Sequence, residues 1–209
     1  MGMHTLEEAR AEMLQVITPL AAETIPLSQA GGRVLATEAQ ATIDLPRFDN
    51  SAMDGYAVRA AEAISGAKLK CIGEVPAGSV FEGELGTGEC LRIFTGSPMP
   101  DGANAVVMQE DTRVEGDTIE ITDGAKPFEH VRLRGEDVKE AEIIGRGGER
   151  LHAGRLQLLG SAGAAEVSVH RKPIVAVLAT GAELREPGGD LGGGGPRAPF
   201  SGSPPARSV

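Results

Sequence analysis

Turn-forming residues punctuate this chain so often that long regular elements are excluded over most of its length. Glycine occurs 29 times and proline 13 times in 209 residues, about 20% of the chain against an average near 12%. Proline removes a backbone donor from helix and sheet, and glycine costs a helix about 1 kcal/mol relative to alanine. Such a chain builds short strands joined by tight turns. The excess is uneven. Residues 187–209 hold 7 of the glycines and 5 of the prolines. A segment of that composition cannot build a core, and residues 192–209 are expected to be a disordered tail. Upstream of it the chain is turn-rich but globular, with 41% hydrophobic residues overall.

Charge narrows the function classes. Lys+Arg number 20 and Asp+Glu 30, a net charge of −10. Nucleic-acid and anionic-membrane binders need a basic footprint, so neither partner is expected. The two cysteines, Cys71 and Cys90, are too few for a disulfide framework or a zinc site and suit a reducing compartment. No apolar run approaches the roughly 18 residues of a membrane span. The first ten residues carry Glu7 and Glu8 and no apolar core, so no signal peptide is read there. These features predict a cytoplasmic protein.

The first element is a helix. Thr5 and Glu8 form a capping box, and Leu6, Ala9, Met13, Val16, Ile17 and Leu20 recur at helical spacing before Pro19. That amphipathic pattern predicts a helix packed on a domain. Short extended pieces follow at Ile25–Leu27, Arg33–Leu35 and Ala39–Ile43. Residues 55–121 read as β-rich: Tyr56–Val58, Cys90–Thr95, the apolar run Ala105–Met108, and a hairpin over Arg113–Ile121 turning at Gly116. Strands this closely spaced suggest a small sandwich or barrel. A second helix is expected over Ala153–Ser161, stopped by Gly163, and a strand over Ala165–His170. Six apolar residues from Ile174 to Ala179 then run into Thr180-Gly181, the pattern of a buried parallel strand opening an α/β domain.

Four segments carry polar groups in suggestive order. Pro46–Val58 reads PRFDNSAMDGYAV. Asp49, Asn50 and Ser51 can cap one helical turn, with Asp54 at its third position. Alternatively the loop presents Asp54 to a ligand or to Mg²⁺, which needs only one or two carboxylates. Thr95-Gly96-Ser97 ends a strand, either as a plain β-turn or as a cradle of backbone N–H groups for an oxyanion. Arg132 and Arg134 alternate and should share one face of an extended segment, there to bind an anion or to pair with Glu136 and Asp137. Glu183 follows the apolar strand, where α/β sheets bind ligands, or where a carboxylate faces a helix dipole. The four histidines show no metal-ligand spacing, and no phosphate-loop or dinucleotide fingerprint is present.

Taken together, Pro46–Val58, Arg92–Ala105 (RIFTGSPMPDGANA), Arg132–Val138 (RLRGEDV) and Ala179–Leu184 (ATGAEL) resemble the molybdopterin molybdenumtransferase family (MoeA, and the E domain of gephyrin) over about residues 5–192. The resemblance implies insertion of molybdenum from molybdate into adenylylated molybdopterin, with Mg²⁺ and release of AMP. By motif match it implies Asp54, Thr95 and Glu183 as catalytic residues, Asp54 and Glu183 as metal ligands, and Ser51, Gly96, Ser97, Arg132 and Arg134 as cofactor-binding. It also implies a homodimer, with a molybdopterin adenylyltransferase as candidate partner.

The implied fold is mixed α+β. Residues 1–45 plus 139–171 form an elongated helix-containing linker and dimerisation domain. Residues 46–138 form an inserted β-rich domain, and residues 172–191 start an incomplete α/β molybdopterin-binding domain. Two departures stand out: Ala182 occupies a usually acidic position, and the family pattern breaks off after about Leu191. The expectation is a truncated or frameshifted member with impaired activity; the alternative is a non-catalytic oligomerising or binding module derived from the family.

Overall fold

The computed structural model describes residues 4–76 and 78–176. Elements are named in chain order: α1 (Leu6–Val16), β1 (Ala22–Pro26), β2 (Ala39–Gln40), β3 (Asn50–Ser51), β4 (Gly55–Val58), β5 (Lys68–Val75), β6 (Glu89–Ile93), β7 (Ala105–Met108), β8 (Thr112–Glu115), β9 (Thr118–Ile121), β10 (Val131–Arg132), β11 (Ile143–Gly145), α2 (Ala153–Ser161) and β12 (Glu166–His170). The protein is mixed, with few helices and short strands, as the density of turn residues requires. Among the described residues no helix is long and apolar enough to cross a membrane.

The chain divides into two compact units: Met1–Thr37 with Arg146–Ala153 and Glu166–Val209, and Glu38–Gly145 with Gly154–Ala165. In the first, β1 and β12 pair antiparallel from Ala22↔His170 to Pro26↔Glu166. Leu35 bridges Val169, and Val34 bridges Arg150. Ala30, Leu35, Leu151 and Val169 are buried here.

The second unit holds a curled six-stranded sheet of order β7-β4-β6-β5-β9-β8. Its pairs are antiparallel except β5–β6, which is parallel. Both faces are covered. Tyr56, Val58, Cys90, Ala105 and Val107 join one apolar cluster with Leu69, Ile119 and Ile121. Their neighbours Ala57, Leu91, Ile93 and Val106 join another with Val75 and Leu85. A strand that alternates between two buried faces must be apolar at every position, which is why Ala105-Val106-Val107 reads as a run.

Thr5 caps α1 as its sequence predicts. Its hydroxyl accepts from the Glu8 amide at 3.2 Å, and Glu8 accepts from the Thr5 amide at 2.8 Å. The expected packing of α1 is not seen: none of its residues is buried, and Leu6, Met13 and Val16 are 80%, 64% and 82% exposed. The helix pattern is satisfied locally while its apolar stripe meets solvent.

Two local expectations are corrected. Asn50 and Ser51 do not cap a helical turn; they form β3 and pair with Arg132 and Val131 of β10. Arg132 and Arg134 do not share a strand face, because β10 ends at Arg132 and the chain turns through Gly135 at φ 69°. Residues 172–176 form no strand. The rest of the apolar run, the Thr180-Gly181 turn, Ala182, Glu183 and the segment 192–209 lie outside the described residues.

Candidate functional site

Three of the four motif segments are laced together by the backbone. The Ser51 amide donates to Ser97 O at 3.0 Å, and the Gly96 amide donates to Ser51 O at 2.8 Å. Asn50 bridges Pro98, and the Met99 amide donates to Asp49 O at 2.9 Å. On the other side β3 pairs with β10, the Ala52 amide donates to His130 O at 2.8 Å, and the Arg134 amide donates to Asp49 Oδ1 at 2.7 Å. Residues about 45 and 80 positions apart in sequence thus become neighbours.

Asp54 sits where this lacework meets the sheet. Its Oδ1 accepts from both the amide and the hydroxyl of Thr95, at 2.8 and 2.9 Å. The next residue has to be glycine: a Cβ on Gly55 would lie 2.0 Å from Val107 O, so β4 could not approach β7. The Thr95 amide and then its hydroxyl hold the Asp54 carboxyl below the usual carboxylate range, with the Arg92 charge helping. Arg92, to which the sequence reading assigns no role, lies over the rings of Tyr56 and Phe94, 5.2 and 5.0 Å from their centroids. It donates to Gly55 O at 3.2 Å and to Gln109 Oε1, which fixes its charge beside Asp54.

The same segments line a cleft of about 580 Å³. Asn50 of β3 and Arg132 of β10 line it with Arg47, Gly96 and Asp137 from the connecting segments, and Gln157 lines it from α2. Arg132 donates to Glu136 at 2.6 Å and to Asp137 at 2.5 Å, and these bonds, Asp137 first, raise its pKa. Arg134 donates to Asp44 Oδ2 at 2.5 Å. The Glu140 amide first, then Arg134, keep the Asp44 carboxyl below its ordinary value. Both guanidiniums are therefore engaged by carboxylates. Arg47, which the sequence reading does not single out, forms no ion pair among the described residues and is the cation in the cleft open to an anion.

The expected cradle of N–H groups at Thr95-Gly96-Ser97 is not available, because its three amides are bonded to Asp54 Oδ1, Ser51 O and Phe94 O. Ser51 and Ser97 are fully buried, and their hydroxyls donate to Met53 O and Val75 O. Both serines hold the turn rather than face a ligand. Gly96, at φ 83°, offers the cleft a wall without a side chain. Asp137 and Arg47 lie inside motif segments, so their position was the signal available; Gln157 comes from a helix with no motif.

Among the described residues no group of three or more His, Cys, Asp or Glu side chains could hold a metal ion. Asp54 Oδ2, however, carries no protein hydrogen bond there. One ionised carboxylate oxygen suits a hard cation that retains most of its water.

The comparisons with known proteins agree with one another. Residues 4–163 match the family described as the MoeA N-terminal region (domain I and II). A molybdopterin molybdenumtransferase of Haemophilus influenzae is 40% identical over 194 residues, covering 92% of this chain and 48% of that protein. One of Nostoc sp. is 40% identical over 167 residues, covering 78% and 38%. The crystal structure of the molybdopterin biosynthesis moeA protein from Pyrococcus horikoshii OT3 aligns with TM-score 0.80 and 38% identity, covering 88% of this chain and 50% of that one. The chain spans about half, or less, of the length of the relatives it matches. With the family match over most of its length, the chain belongs to the MoeA N-terminal family.

Proposed function

We propose that this chain acts in molybdenum cofactor biosynthesis, supplying the Asp54–Thr95 part of a site that inserts molybdenum from molybdate into adenylylated molybdopterin and releases AMP. The names of the relatives support the reaction class. The observation that carries it here is the Asp54 carboxylate, kept ionised by Thr95 with one oxygen left open, while Gly96, the residue after Thr95, lines the cleft that bears Arg47. Mg²⁺ bound there would neutralise phosphate and molybdate oxygens. Asp54 would hold the cation, Thr95 would fix the carboxylate orientation, and Arg47 would attract the anionic substrate. Glu183 is proposed as a further metal ligand and catalytic residue, and the working unit as a cytoplasmic homodimer that receives its substrate from a molybdopterin adenylyltransferase.

Equilibrium binding of adenylylated molybdopterin to the 209-residue protein tests this. Binding is expected to require Mg²⁺ and to weaken about tenfold in Asp54→Asn. Equal binding by the variant and in the presence of a chelator would overturn the reading.

A second reading, an oligomerising module without catalysis, is favoured by the exposed apolar residues of α1. It predicts self-association with no affinity for the pterin nucleotide, so sedimentation and the binding titration together separate the two.

A further inference from the structure

A local concentration of cations lies in the unit that does not contain Asp54. A cavity of about 270 Å³ lies between the Gly31-Gly32 turn and the end of β12. Arg33, Arg150, Arg171 and Lys172 all line it, and no carboxylate does. In a protein with ten more acidic than basic side chains, four cations around one small cavity is a local inversion of charge.

Arg33 is the buried member, 9% exposed. Its Nη2 donates to Glu23 and, at 2.7 Å, to His170 O. Its Nε is buried and has no hydrogen-bond partner. A buried guanidinium donor without an acceptor is costly and uncommon, because polar groups taken out of water are normally paired. Arg150, Arg171 and Lys172 are exposed and form no ion pair among the described residues. The Arg150 guanidinium lies over Gly32, 3.7 Å from where a Cβ would stand, and Gly32 has φ 74°. Glu23 is the counter-charge of Arg33, but the charges of Arg150, Arg171 and Lys172 are gathered without one among the described residues. They repel, and a bound anion relieves that repulsion while supplying acceptor oxygens to the donors. A planar or tetrahedral oxyanion with several oxygens matches forked guanidiniums better than a single-point anion does.

We propose that this cavity is an anion site for a phosphoryl group, free or carried by a small molecule, with Arg150, Arg171 and Lys172 as the recruiting cations and Arg33, the buried member of its lining, as a further donor. It shares no residue with the cleft that Arg47 and Gly96 line and does not depend on the reaction proposed for Asp54.

The test is titration of the ¹⁵N-labelled 209-residue protein at fixed ionic strength, first with inorganic phosphate and then with a nucleoside monophosphate, following the amides of Gly31, Gly32 and Arg150. Saturable shifts at these amides with inorganic phosphate identify a free-phosphate site. Saturation with the nucleotide alone identifies a phosphoryl site that needs its carrier. In either case affinity should fall roughly tenfold or more in the exposed double variant R150Q/K172Q, with an unchanged melting temperature. No saturation by either ligand, an equal response to chloride, or undiminished affinity in the double variant would overturn the proposal. So would saturation of the same amides only by an acidic peptide.

Discussion

Asp54 and Thr95 form a two-point clamp: one carboxylate oxygen takes both the amide and the hydroxyl of a residue 41 positions away. Such bonds favour the charged carboxylate, and the folded-state pKa lies below the ordinary 3.8. A carboxyl depressed on folding contributes stability that is complete above its unfolded pKa and is lost as pH falls through its folded one. The Asp54 contribution should therefore be constant above about pH 5 and disappear on the acid side of 3.8. Thr95→Val removes one of the two donors, and the amide stays. The Asp54 pKa should rise but remain depressed, read by carboxyl ¹³C titration. An unchanged value would show that the hydroxyl does not contribute.

Gly55→Ala tests the backbone that carries the clamp. The added methyl group would fall 2.0 Å from Val107 O, and the next atoms it meets, Val107 C and Met108 Cα, are backbone too, so no flexible side chain is there to yield. β4 pairs with β7 through Gly55↔Met108 to Val58↔Ala105, so relief requires parting a central strand from its neighbour. Urea unfolding should show a loss of about 3 kcal/mol or more. A loss below about 1 kcal/mol would mean that the sheet edge accommodates the methyl group.

What could be read from the sequence were features whose cause is local or whose burial is symmetric. The α1 cap involves residues three apart. The β7 run is apolar because both faces of its strand are covered. The β8–β9 hairpin turns at a glycine with φ 63°. β5 was not delimited, since Lys68, Lys70 and Glu74 interrupt its apolar positions and the register slips between Cys71 and Glu74. At the site, Asp54 and Thr95 were recognisable as motif residues. Their direct contact, and the internal use of the Ser51 and Ser97 hydroxyls, follow from pairing across distant segments. Asn50 and Ser51 have good capping side chains, but a cap preference is weaker than the ladder formed with Arg132 and Val131.

Because α1 buries no side chain, its stability is local. An eleven-residue helix without tertiary support is marginal, and the capping box then holds much of what order it has. Thr5→Ala should speed amide exchange through the first turn of α1, consistent with about 1 kcal/mol of lost capping energy. The global unfolding midpoint should not move. A shift in that midpoint would reveal packing of α1 that these contacts do not include.

The two cysteines should differ sharply in reactivity although they are paired across β5 and β6, Cys71↔Cys90. Cys90 is fully buried, and burial, with Cys71 adding to it, pushes its thiol up to about 12. Alkylation needs both the thiolate and access. Cys71 is only partly buried, with its thiol donating to Gly73 O at 3.3 Å. Native protein treated with iodoacetamide at pH 8 should take up one label, located at Cys71 by peptide mass analysis, and unfolded protein should take up two. Raising the pH to 9 should still leave Cys90 unlabelled, since at that pH Cys90 remains protonated inside the cluster of Tyr56, Leu69 and Ile119. Native labelling of both thiols at similar rates would mean that the β5–β6 face opens to solvent on the timescale of the reaction.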